Sequence, residues 1–166
     1  IARASRNLPL LVLAGLMIIS LAGLLFVPAI PQDQAYHQFA DQTTLLGVPN
    51  FWNVMSNAPF VLVGAVGLWK FHREAITLVL FTGMLLAGVG SGYYHWRPSD
   101  ATLLWDRLPM TLCFMAIFAA GIEERVGTRI GTLMLAPLLV VGIISLLVWR
   151  YTDDLRLYGW VQFFPI

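Results

Sequence analysis

The sequence predicts an all-α fold, a polytopic transmembrane helix bundle, on two observations. Of 166 residues, 58% are hydrophobic and 11% are charged, where ordinary soluble domains carry roughly a quarter charged residues. The apolar residues also gather into runs near the length, about 20 residues, that a helix needs to cross the hydrocarbon core. Five full spans are expected, plus the start of a sixth. Repeats, linkers and low-complexity tracts are missing from the sequence, so residues 1–166 are expected to form one helical domain.

The first span covers residues 8–29. Arg3 and Arg6 precede it, as in a secretory leader, but the run is longer than a leader's apolar core and ends in Val27-Pro28-Ala29-Ile30-Pro31 rather than a small-residue cleavage site. It reads as a retained helix. The next four spans are 51–69, 75–95, 102–122 and 130–149, and Pro109 inside the fourth is expected to remove one backbone hydrogen bond and kink it. A sixth run begins at Tyr158 and is cut at Ile166, too short to span, so the natural chain is expected to continue or this piece to be re-entrant.

Net charge is +1 and no basic cluster is present, which gives no footprint for nucleic acid. The single Cys113 excludes a disulfide within the chain and reads as a small apolar packer in the fourth span. The connections sort the basic residues: Arg3, Arg6, Lys70, Arg73, Arg125 and Arg129 fall on one side, and Arg97, Arg107, Arg150 and Arg156 on the other. The positive-inside rule then places the N-terminus in the cytoplasm, with a bacterial inner membrane as the expected setting. The loop from Gln32 to Asn50, the His95 end of the third span, the Asp106 start of the fourth and the turn from Arg150 to Arg156 all gather on the opposite side.

Ionisable groups inside spans are costly and mark candidate sites. Ser91 and His95, in "GSGYYHW" at 90–96, are spaced i, i+4 and share a helix face. The short "RPSDAT" loop returns Asp106 beside them. A nucleophilic triad is one reading, although Ser91 lacks the sharp turn of a nucleophile elbow. A zinc site with His95 as ligand is another; catalytic zinc takes three protein ligands, and His37 and His72 are not placed to join. A third reading is structural, with Tyr93, Tyr94 and Trp96 in an aromatic belt and Asp106 paired with Arg107 or Arg97. "GVGSG" at 88–92 offers a small-residue face for close helix contact. In "VPNFWNVMSN" at 48–57, Asn53, Ser56 and Asn57 share a face suited to hydrogen bonding with other helices or an ion, and Asn50 reads as a helix cap. Asp33, Asp41 and Asn50 offer oxygens of the kind calcium prefers.

Three motifs in order, "FWNVMSN" at 51–57, "GSGYYHW" at 90–96 and "WDRLPM" at 105–110, resemble the alkaline ceramidase family, including alkaline phytoceramidases, in the wider group of membrane hydrolases that includes the adiponectin receptors. That family's pattern is Phe-Trp-Asn-x-x-Ser-Asn, then Ser-x-x-x-His, then Asp-x-Leu-Pro-Met on successive helices. The resemblance implies a seven-helix core, here preceded by an extra N-terminal helix, that cleaves the amide bond of ceramide-like lipids with a zinc-bound water. It implies His95 as a zinc ligand, Ser91 as the group that stabilises the oxyanion or bonds the water, and Asp106 as the residue that orients or exchanges protons with it. The family's other zinc ligands, a His-x-x-x-His pair on its last helix, are not found in these 166 residues. The family's calcium site has a Glu where Asn50 stands, with Asp33 and Asp41 as the remaining acids. Implied partners are membrane lipids with a ceramide-like substrate; the alternative is a non-catalytic subunit on the same scaffold, packed against other membrane proteins.

Overall fold

The computed structural model describes the backbone from Ala2 to Ile166 and the side chains from Leu8. The side chains of Arg3 and Arg6, counted above for orientation, lie outside the described residues. The chain forms α1 (Ala2–Gly23), α2 (Phe51–Met55), α3 (Ala58–Phe71), α4 (Ala75–Trp96), α5 (Asp100–Arg125), α6 (Thr128–Thr152) and α7 (Arg156–Phe163). Five segments are long and apolar enough to cross a membrane: Leu8–Phe26, Phe51–Phe71, Ala75–Trp96, Asp100–Arg125 and Thr128–Thr152. The expected spans are met within a few residues at each end. The short α7 is the start of the sixth run.

Helix α5 is the spine. It packs against α4 on one side and α6 on the other, α3 lies against the far side of α4, and α7 folds back on α6 and α5. Met115, Ala116 and Ala119 of α5 are fully buried, and the core they begin is completed by Leu135 and Leu138 of α6 and Trp160 and Val161 of α7. A second cluster, nearer the polar end, joins Tyr94, Leu103, Leu146, Trp149 and Tyr158. Helix α1 stands at the outside with most of its apolar surface uncovered. It is held where Trp160 Nε1 donates to Ser20 Oγ at 2.9 Å, and where the Arg156 guanidinium donates to the carbonyls of Leu24 and Val27 at 3.0 and 2.6 Å.

Local sequence sets the helix ends. Ser99 caps α5 by accepting from the Thr102 amide at 3.2 Å, one of the donors that a first helical turn leaves free. The second span is not continuous: it breaks between Met55 and Ala58, just before Pro59 at the start of α3. Of the Asn53, Ser56 and Asn57 face expected to reach other helices or an ion, the Asn53 amide donates to the Asp41 carbonyl of the preceding loop at 3.3 Å, and the other two turn to their own segment. Ser56 Oγ and Asn57 Nδ2 both donate to the Asn53 carbonyl at 2.8 Å, the local competition with the backbone that short polar side chains offer. Asn50 precedes α2 in the left-handed region, φ 50°, and makes no side-chain cap. Its amide donates instead to the His95 carbonyl at 2.9 Å.

The small-residue face serves two neighbours. A Cβ on Gly88 would press on Val61 and the Asn57 carbonyl at the α3 contact, and one on Gly90 would run into the Trp105 carbonyl of α5. That carbonyl is the one whose helical donor Pro109 removes, so close approach of α4 and the proline occur at one level. Gly90→Ala is therefore expected to destabilise the fold by about 1–3 kcal/mol, the usual cost of overpacking. Thermal unfolding of the detergent-solubilised protein checks this, with Gly15→Ala as the control because nothing lies within 4 Å of a Cβ there.

Candidate functional site

The polar end of the bundle is closed by the loop between α1 and α2. Two aspartates fix its start: Asp153 Oδ1 accepts from the Gln32 amide at 3.0 Å, and Asp154 Oδ1 accepts from the Ile30 amide at 3.5 Å. Further along, His37 lies between two helix ends, with Nδ1 2.9 Å from the Tyr94 hydroxyl and Nε2 3.0 Å from Asp100 Oδ1. Phe39 then lays its ring 4.6 Å from the His95 ring. The loop, the His95 end of α4, the start of α5 and the α6–α7 turn thus meet at one end of the molecule, the grouping that the charge pattern predicts.

Below this cover is a cavity of about 760 Å³, within the range of small-molecule sites. One stripe of α4, Leu80, Met84, Ala87, Ser91 and His95, lines it, opposite Asp106, Met110, Phe114 and Ile117 of α5. From Leu80 to His95 the stripe runs 15 residues, roughly 22 Å at the helical rise. Both stripes grade from polar to apolar in the same direction, because the two helices are antiparallel. The space has the form of an amphiphile's mould, a polar head pocket continuing into an apolar trough.

Ser91, His95 and Asp106 all line the head of this cavity, Ser91 and His95 from α4 and Asp106 from α5. His95 Nδ1 is buried and has no hydrogen-bond partner. Asp106 is buried, and no ion pair between it and Arg97 or Arg107 is found within 4 Å among the described residues. Arg97 lies instead over the Trp96 ring, 5.7 Å from its centroid. His72 sits apart, its Nδ1 3.1 Å from the Trp69 carbonyl. Cys113 lines the deeper cavity wall, with its Sγ 3.6 Å from the Leu80 carbonyl.

The three residues considered for calcium are engaged locally. Asp33 Oδ1 accepts from the Ala35 amide at 2.8 Å; Asp41 accepts from the Thr43 and Trp52 amides, both at 3.1 Å; Asn50 holds the His95 carbonyl. Asp33 shares no hydrogen-bond partner with the other two. Calcium takes six to eight oxygens, and this arrangement does not fit it. Among the described residues no three His, Cys, Asp or Glu side chains form a group able to hold a metal ion.

Sequence reasoning missed much of the cavity head. Tyr36, Arg107 and Tyr158 line it as well, and Gln32 reaches in to accept from Arg107 Nη2 at 2.7 Å. The available signal was Arg107 itself, a cation inside a span, which reads too easily as a neighbour's ion-pair partner.

The covering loop carries a pH dependence. Hydrogen bonding, first of all to Thr43, holds the Asp41 carboxyl below its ordinary 3.8, and the Arg156 guanidinium does the same for Asp154. A depressed folded pKa means stability that is present above the ordinary value and lost as pH falls through the folded one. The thermal midpoint is expected to drop on acidification from about pH 5 to about pH 3, and less steeply in Asp41→Asn/Asp154→Asn. Parallel slopes would remove these two groups as its source.

A bundle of apolar helices around a cavity with a polar head defines a polytopic helical membrane protein. More particularly, the chain belongs to the ceramidase family: the family model described as Ceramidase matches residues 44–162, which hold all three motifs and every helix but α1. At family level it is a ceramide-hydrolysing membrane protein. No curated protein and no solved structure matches the chain.

Proposed function

We propose that the protein is a zinc-dependent amidase of the alkaline ceramidase type, with Ser91, His95 and Asp106 at its reacting centre. The observation that carries this reading is the buried Nδ1 of His95, without a partner among the described residues, at the head of a cavity that Ser91 and Asp106 also line. A buried ring nitrogen without a partner is costly, and a metal would satisfy it. His95 would supply one ligand, the others being expected from the family's His-x-x-x-His pair, which residues 1–166 do not contain. Zinc, when bound, polarises a carbonyl and brings the pKa of a water to about 7.

The remaining work falls to the chain. Phe39, Tyr94 and Asn50 fix the His95 end of α4 by ring contacts and a hydrogen bond to its backbone. The Met84, Met110 and Phe114 trough takes the acyl chain and so brings the amide to the polar head. Ser91, which lines the cavity head, is placed to offer its hydroxyl to the amide oxygen as negative charge develops there. Asp106 takes a proton from the attacking water and returns it to the leaving amine nitrogen. The loop from Ile30 to Asn50 covers the head and limits water. The positive-inside count supports a cytoplasmic N-terminus, with the site on the opposite side.

The test is hydrolysis of a fluorescent short-chain ceramide by the purified protein before and after treatment with a zinc chelator. Activity should disappear on chelation and return with added zinc. Undiminished turnover by the metal-free protein would remove zinc from the mechanism, and absence of any hydrolysis by the zinc-loaded protein would favour a non-catalytic scaffold.

A further inference from the structure

Arg107 is 6% exposed, inside a membrane-spanning helix, and carries no ion pair among the described residues. Its guanidinium is stacked among aromatic rings, 4.4 Å from the Trp149 centroid, 4.8 Å from Tyr158 and 5.8 Å from Tyr36. Nη2 donates to a neutral acceptor, Gln32 Oε1, at 2.7 Å. Nη1 is buried with no partner, and the residue lines the lipid cavity. Cation–π contacts and one neutral hydrogen bond orient a guanidinium but do not neutralise it. A buried cation without a counter-ion is among the more costly arrangements a protein can hold, and a planar guanidinium with a free donor is the shape that receives a carboxylate.

Asp106, the nearest acid in sequence, does not fill this role. Adjacent helical residues point about 100° apart, so while Asp106 lines the cavity with Ser91 and His95, the Arg107 guanidinium turns to the aromatic wall of α6 and α7. The cavity head therefore has two sides, a Ser–His–Asp side and a cationic side.

We propose that Arg107 is a specificity-determining residue that binds a carboxylate at the polar end of a single-chain lipid. This rests on the cavity being the lipid site of the proposed amidase. Two lipids carry that chemistry: an N-acyl amino acid, with its carboxylate on the amine half of the amide, and the free fatty acid released by hydrolysis. In both, the tail follows the apolar trough and the carboxylate meets Nη1.

Equilibrium binding to the purified protein in nanodiscs tests this without turnover, using tritiated N-palmitoylglycine, palmitate and hexadecanol. Each carboxylate that uses the site should bind at least tenfold tighter than the alcohol. The tighter of the two identifies the source: N-palmitoylglycine for a substrate head group, palmitate for the product. Two variants remove the charge differently. Gln32→Glu puts a carboxylate against Nη2 with little change of shape, and Arg107→Met replaces the cation by an apolar chain able to pack among the same rings. In either variant that folds, the preference over hexadecanol should fall to within about twofold, while hexadecanol binding itself persists. An alcohol bound as tightly as both carboxylates by wild type, or a preference that survives in Gln32→Glu, overturns the proposal. Ceramide turnover is followed in parallel: turnover without carboxylate preference refutes this inference alone, and preference without turnover refutes only the amidase reading.

Discussion

His95→Ala is expected to lower ceramide hydrolysis by at least about 10³-fold, equivalent to ~4 kcal/mol of transition-state stabilisation, and to reduce bound zinc with it. The ring touches Phe39 and Tyr94, while the segment's anchoring to Asn50 runs through the His95 backbone carbonyl. Truncation therefore spares that hydrogen bond and removes the unpartnered nitrogen. Metal content measured by mass spectrometry separates the possible causes. Low activity with reduced zinc fits a ligand; low activity with wild-type zinc would make His95 part of the cavity wall and move the metal elsewhere.

Asp106→Asn should produce the next largest loss, about 10²–10⁴-fold in kcat, the range of a positioned general acid–base group. The substitution keeps the volume and shape of the side chain, so the packing around it is retained. It abolishes proton exchange. The expected signature is a fall in kcat with KM changed by less than about threefold, together with loss of the acid limb of the pH–rate profile. A rise in KM with kcat intact would place Asp106 in substrate binding.

Gly90→Ala bears on the same site from the packing side. Because Gly90 lies one residue before Ser91 and faces the carbonyl one residue before Asp106, spreading the helices there separates the two side chains proposed to act in hydrolysis. Stability and activity should fall together in that variant, whereas Asp106→Asn should reduce activity alone.

The spans were legible because hydropathy reports on solvent: a segment that must sit in hydrocarbon has to be apolar over its whole length, and only a helix satisfies its backbone there. Ser91 and His95 were legible as a pair because four residues is close to one turn. The break at Ser56 and Asn57 was not, since apolar content says nothing of whether short polar side chains bond outward or to their own backbone. The same limit applies to Asn50, which looked like a cap and instead fastens His95.

Arg107 shows the boundary most clearly. Its cost is visible from the sequence, because a cation lies in a span, but its partner is not. Sequence neighbourhood pointed to Asp106, while the helical twist turns the two residues to different walls. The aromatic stack around Arg107 draws on residues 149 and 158 and on residue 36, more than a hundred positions before them in the chain.

By itself the sequence determined a membrane helix bundle of the ceramidase pattern and the identity of three residues at its polar end, since solvent preference and helical periodicity are local properties. The tertiary structure decided their setting: a shared cavity and, among the described residues, an imidazole nitrogen without a hydrogen-bond partner and a neighbouring guanidinium without an ion pair. Burial and partnership depend on which surfaces of distant helices meet, and glycine contacts and a covering loop, rather than any run of residues, fix that meeting.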